Sequence, residues 1–98
     1  MLTSMNEIEV PAVVNAVATE DTLSVDLSDG RSLSVPLAWY PRLLNASQKE
    51  RSNWRVIGQG HGLHWESIDE DISIENLLAG RPSGESQKSF ERWLVTRR

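Results

Sequence analysis

The sequence predicts an α+β domain: a small antiparallel sheet, made of an N-terminal three-stranded meander plus short later strands, packed by two or three short helices. Three observations predict it. Leu23, Val25 and Leu27 alternate with Ser24, Asp26 and Ser28, and Leu33, Val35 and Leu37 alternate with Ser32, Ser34 and Pro36. A period of two puts apolar side chains on one face of each strand and polar ones on the other. Asp29-Gly30 lies between the two runs, a hairpin signal because glycine takes positive φ at little cost and aspartate tolerates it. Downstream, apolar residues recur at helical spacing between recognisable caps.

The elements follow in order. Residues 1–10 read as a loose lead-in, and the stretch 12–19 is β-branched enough for a first strand yet alanine-rich enough for a short helix. Glu20-Asp21 turns the chain into strands over about 22–28 and 32–36, the last ended by Pro36, which has no N–H to give a ladder. Pro41 suits the first turn of a helix and forces Tyr40 to be extended. Ser47 and Glu50 have capping-box spacing, which predicts a short surface helix anchored by Leu43, Leu44 and Trp54. Residues 54–57 and 62–65 read as strands around a turn containing Gly58, Gly60 and Gly62. Ser73 caps a two-turn helix with the stripe Ile74, Leu77, Leu78, and Gly80 ends it. The final helix, about 86–96, carries Phe90, Trp93 and Leu94 on one face, expected to pack on the hairpin's apolar side.

Composition bounds the function. Ninety-eight residues with 39% hydrophobic content make residues 1–98 a single small domain. No stretch reaches the roughly 18 apolar residues that span a bilayer, and the N-terminus lacks the pattern of a signal peptide. A cytoplasmic protein with no membrane partner is expected. The absence of cysteine removes disulfides, zinc–thiolate sites and thiol nucleophiles. The net charge of −4 argues against nucleic acid as a main partner, because such domains carry a basic face. Lys88, Arg92, Arg97 and Arg98 read instead as cations near a helix C-terminus.

Each candidate chemistry has a plainer counterpart. His61 and His64 with Asp69, Glu70 and Asp71 are metal-ligating types. Residues i and i+3 of a strand face opposite sides, however, so only a bulge would join the two rings. The acids fit the approach to a helix N-terminus, where negative charge is favoured. The G-x-G-x-G run over 58–62 lacks the helix and the lysine of a phosphate cradle. Serines fall at strand exteriors and caps, with no nucleophile elbow. No catalytic residue, metal site or cofactor is therefore assigned. The compositional surplus is aromatic: Trp39, Trp54, Trp65 and Trp93, with Tyr40 and Phe90. Adjacent Trp39 and Tyr40 cannot both enter one core from an extended segment. Trp39, Tyr40 and Arg42 are accordingly the candidate partner-binding residues, Tyr40 the exposed one, since aromatics and arginine are enriched at interfaces.

The same residues carry a family resemblance. LSDGRSLSVPLAWYPRLLNAS (27–47), ERSNWRVIGQGHGLHW (50–65) and IDEDISIENLLAG (68–80) together resemble the small bacterial and phage-borne family called domain of unknown function 2442, over about residues 8–80. The resemblance implies a compact α+β fold in a bacterial cytoplasmic protein. It also implies a gene neighbour encoding a second small protein, in a toxin–antitoxin-like pair. Some members add a helix-turn-helix domain, whose pattern is not found through Arg98. The resemblance implies no catalytic residues.

The expected function is thus a non-enzymatic protein-interaction protein, the antitoxin-like partner of a second small chain, with homo-oligomerisation as the other association. Two rivals are a nucleic-acid-binding transcriptional regulator using Arg42, Arg51, Arg92, Arg97 and Arg98, and a metal-dependent hydrolase using His61, His64, Asp69 and Asp71.

Overall fold

A computed structural model describes residues 10–97; most of the expected lead-in, and Arg98, lie outside the described residues. The meander forms as an antiparallel sheet of β1 (Val13–Ala18), β2 (Thr22–Leu27) and β3 (Ser32–Pro36), in the order β1-β2-β3. Leu23 pairs with Val35 and Val25 with Leu33, so the alternation in both strands delivers one apolar face. A bulge between Val13 and Asn15 resets the phase of β1. Val13, Ala16 and Ala18 therefore all point inward, while Val14 and Val17 are exposed. The outer face is tied by Ser24–Ser34 hydroxyls at 2.8 Å and by Ser32 donating to Asp26 at 2.7 Å.

The hairpin turn differs in detail from its expected form. Gly30 alone takes positive φ, at 93°. Its N–H donates to Leu27 O (3.0 Å), and the Leu27 N–H donates to Arg31 O (2.8 Å). That is a three-residue connection with a glycine bulge. Asp29 contributes through its side chain, accepting from the Arg31 N–H at 3.0 Å and from Nε at 2.8 Å.

A 3-10 turn over Leu37–Trp39 leads into α1 (Pro41–Leu44), and α2 (Gln48–Arg51) follows with its capping box complete. Leu44 is exposed rather than anchoring. The anchor is Arg51, which is buried and donates from Nε to Leu43 O (3.0 Å) and from Nη2 to Leu44 O (3.1 Å). Those are carbonyls at the end of α1, where C=O groups run short of intrahelical donors; Leu43 O also accepts from the Ala46 N–H at 3.2 Å.

The second half is a separate antiparallel sheet: β4 (Trp54–Ile57), β5 (Gly62–Trp65) and β6 (Glu70–Ser73), in the order β4-β5-β6. Its third strand occupies the acidic stretch read as a helix approach. At Gly60, an added Cβ would lie 2.6 Å from Ala12 Cβ, so the connector to β5 needs glycine where it crosses the entry to β1. α3 (Ile74–Ala79) is capped by Ser73 and ended by Gly80 at φ 73°. It buries Ile74 and Leu77, while Leu78 faces solvent.

One core joins the two sheets: Leu23, Val25 and Leu27 from the first, Leu63, Trp65 and Ile72 from the second, with Leu37, Leu43, Ile68, Ile74 and Leu77 between them. The last helix, α4 (Gln87–Thr96), meets it at the margin, through a half-buried Trp93 packed against the core. None of its residues is fully buried; Phe90, Trp93 and Leu94, the face expected to pack inward, are half-buried. Trp93 stacks on Phe90 (5.9 Å between centroids) and lies under two guanidinium groups, Arg42 at 5.4 Å and Arg97 at 4.5 Å. Arg97 also pairs with Glu50 at 2.6 Å. No helix among the described residues is long and apolar enough to cross a membrane.

Candidate functional site

The 3-10 turn decides where the aromatic pair goes. In such a turn residues i and i+3 share a face, and the Tyr40 N–H closes it on Leu37 O at 2.9 Å. Leu37, Tyr40 and, three residues later, Leu43 all point inward, at 0%, 3% and 0% exposure. The expectation of an exposed Tyr40 is thus corrected: Tyr40 is core and Trp39 is the half-buried one, because the segment is coiled rather than extended. The Tyr40 hydroxyl reaches Arg81 O at 3.4 Å. Burial, with the nearby Glu70 charge, pushes its pKa up to about 12.

Arg42 is not a free surface cation either. Its Nε donates to both Glu85 oxygens (2.9 and 3.0 Å), Nη2 to Glu85 Oε2 (2.6 Å), and Nη1 to Ile68 O (2.9 Å) and Asp69 O (3.3 Å). Hydrogen bonding to Arg42 holds the Glu85 carboxyl below its ordinary range. Glu85 is itself positioned by the Ser89 hydroxyl (2.7 Å) and by its own N–H on Ser83 Oγ (3.1 Å). The Ser83 N–H donates to Trp39 O at 2.9 Å, which lays the segment after α3 across the start of α1.

Beneath that segment is a cavity of about 360 Å³ between α1, β6, α3 and the 81–89 stretch. Glu70 lines it. The antiparallel register sets Glu70 opposite Trp65 and Ile72 opposite Leu63, so Glu70 shares the inward face of β6 with Ile72, while Asp71 points out. Glu70 is nine-tenths buried and has no hydrogen-bond or ion-pair partner among the described residues. No fully enclosed side-chain nitrogen or oxygen among those residues lacks a hydrogen bond; the Glu70 carboxyl therefore opens into the cavity. Burial, reinforced by the negative charges of Glu85, Asp71 and Asp69 against the opposing pull of Arg42, raises its pKa to about 7. Asp69, just ahead, is held at φ 51°, a left-handed conformation uncommon outside glycine.

The other sequence candidates are dispersed. His64 meets Asp71 across the strand pair, Nδ1 to Oδ1 at 2.5 Å, and that hydrogen bond raises the imidazole pKa. His61 is exposed at the end of the turn over Gly58–Gly60. Among the described residues no group of three or more His, Cys, Asp or Glu side chains is arranged to hold a metal. Of the arginines, Arg42 and Arg97 are in ion pairs and Arg51 is buried on backbone carbonyls, whereas Arg92 is exposed. Reading E-D-I-S as a strand would have placed Glu70 inward; nothing local marks Glu85.

Two small three-stranded sheets joined by short helices over one core define an α+β protein with a carboxylate-lined cavity. The chain belongs to the family described as Protein of unknown function (DUF2442), which matches residues 13–83. It is similar to a protein of unknown function from Rhodospirillum rubrum, at 30% identity over 81% of this chain and 98% of that one, with a TM-score of 0.70. It shares its fold with an uncharacterised protein from Chromobacterium violaceum, at 20% identity over 97% of this chain and 82% of that one, with a TM-score of 0.65. No curated protein matches the chain.

Proposed function

We propose that the protein is a non-enzymatic, cytoplasmic interaction protein whose partner is a second, basic small chain, in an antitoxin-like relationship. The observation that supports this reading is the disposition of charge. The chain carries −4 overall, and Arg42, Arg51 and Arg97 spend their guanidinium groups on internal acceptors. Around the cavity, Asp69 and Glu70 outnumber Arg81, once Arg42 and Glu85 cancel each other and Asp71 turns outward to His64. An acidic face of this kind steers a cationic partner toward encounter and rejects polyanions. The Arg–Glu pairing is also why the same arginines make a poor phosphate-binding stripe.

The test is affinity capture of the native chain from its own cells, at mild and stringent salt, followed by co-expression with any basic small chain so recovered. A stoichiometric basic partner lost as salt rises, whose growth arrest the chain relieves, is the expected result. Recovery of the chain alone, or as copies of itself, at every salt concentration would overturn the reading.

A further inference from the structure

We propose that the cavity over Glu70 receives a single lysine or arginine side chain of the partner, the cationic group meeting the Glu70 carboxylate. This deepens the interaction reading above and rests on it. Glu70 is nine-tenths buried, partnerless among the described residues, and opens into the cavity rather than into the core. A carboxylate taken out of water without a paired charge is unfavourable. The nearest guanidinium does not supply that pairing, because all three nitrogens of Arg42 already donate to Glu85, Ile68 O and Asp69 O.

The volume of about 360 Å³ lies within the range of small-ligand sites, which begins at about 300 Å³. It is too small for a folded element and ample for one extended side chain. The chemistry of the walls selects its sign. Glu70 and Asp69 offer acceptor oxygens, and the Tyr40 hydroxyl, donating its proton to Arg81 O, presents lone pairs to the space. An anionic group would face Glu70, Asp69 and Glu85 together. A side chain with several N–H donors matches this lining and an acyl or phosphoryl group does not. Arg81 is exposed at the rim; its cation opposes entry, so its removal should favour binding.

The experiment has two arms, both at pH 8 with the full chain. In the first, Nα-acetyl-lysine methylamide, Nα-acetyl-arginine methylamide and the corresponding glutamate derivative are titrated into the labelled protein and followed by amide NMR shifts. Saturable shifts confined to Glu70, Ile72, Asn76 and Ser83 are expected for the two cationic probes only. They should weaken at least tenfold in Glu70→Gln and strengthen in Arg81→Ala, with the remaining spectrum unchanged as evidence that each variant is folded. Shifts spread over the whole acidic surface, or equal in Glu70→Gln, overturn the proposal. In the second arm the captured partner is titrated against wild type and Glu70→Gln, with at least a tenfold loss expected. Equal affinity overturns the cavity's role while the interaction reading stands. If no partner is captured yet the cationic probes bind at Glu70, the interaction reading fails. The cavity is then a site for a free amine rather than for a partner's side chain.

Discussion

Replacing Glu70 by glutamine removes an ionisable group from the inward face of β6 while keeping its shape and packing against Trp65 and Ile72. The folded protein holds the Glu70 proton more tightly than an unfolded chain does, with a pKa of about 7 against an ordinary 4.5. Between those values the native state binds more protons than the unfolded state, so stability falls as pH rises through the window. At about 1.4 kcal/mol per unit, the displacement is worth about 3 kcal/mol. Glu70→Gln should therefore match wild type near pH 4.5, where both side chains are neutral, and exceed it by about 3 kcal/mol at pH 8. Urea unfolding followed by tryptophan fluorescence, repeated from pH 4.5 to 8, reads the difference directly. Glu50 and Glu85, whose pKa values are depressed, lose their contributions only as pH falls below the ordinary carboxylate value, outside this window. His64, whose pKa is raised by Asp71, loses its contribution as pH rises above its own value, equally in both proteins. A stability difference that stays constant across the range would refute the reasoning and place the Glu70 carboxyl in contact with bulk water.

Five further substitutions probe the fold that carries the cavity. Trp93→Ala should cost about 2–3 kcal/mol, below the roughly 3–5 kcal/mol of a fully buried aromatic, because Trp93 is only half-buried against the core and adds two partly exposed cation–π contacts of about 0.5–1 kcal/mol each; thermal melts measure the loss. Gly60→Ala should destabilise by more than about 1 kcal/mol, since its Cβ would lie 2.6 Å from Ala12 Cβ at φ 91°. Gly84→Ala, with open space around it, should change the melting point little. Ser47→Ala should cost about 1 kcal/mol by opening the capping box. Glu50, held at a pKa of about 2 chiefly by Arg97, contributes stability above the ordinary 4.5 that is lost as pH falls toward 2. Acid titration of Glu50→Gln should lack that part of the loss.

The meander, the Asp29-Gly30 reversal, the Ser47–Glu50 box and the Ser73–Gly80 helix were legible in the sequence because each rests on a local rule. Alternation of side chains, positive φ at glycine and the capping of orphan N–H groups act within a few residues of one another. Tertiary structure decided the rest. Whether Tyr40 or Trp39 turned inward depended on a 3-10 turn whose apolar spacing, Leu37 to Tyr40 to Leu43, makes sense only once a core exists to receive it. Arg51 was drawn inside by the carbonyls that end α1, a demand set by folding rather than by the run of polar residues around it. The acidic stretch Asp69–Asp71 looked solvated by composition. Pairing with β5 then fixed a register that sent Glu70 to the buried face opposite Trp65 and left Asp71 outside with His64. A four-residue strand carries too little alternation to declare its own facing, so the strand beside it makes that choice.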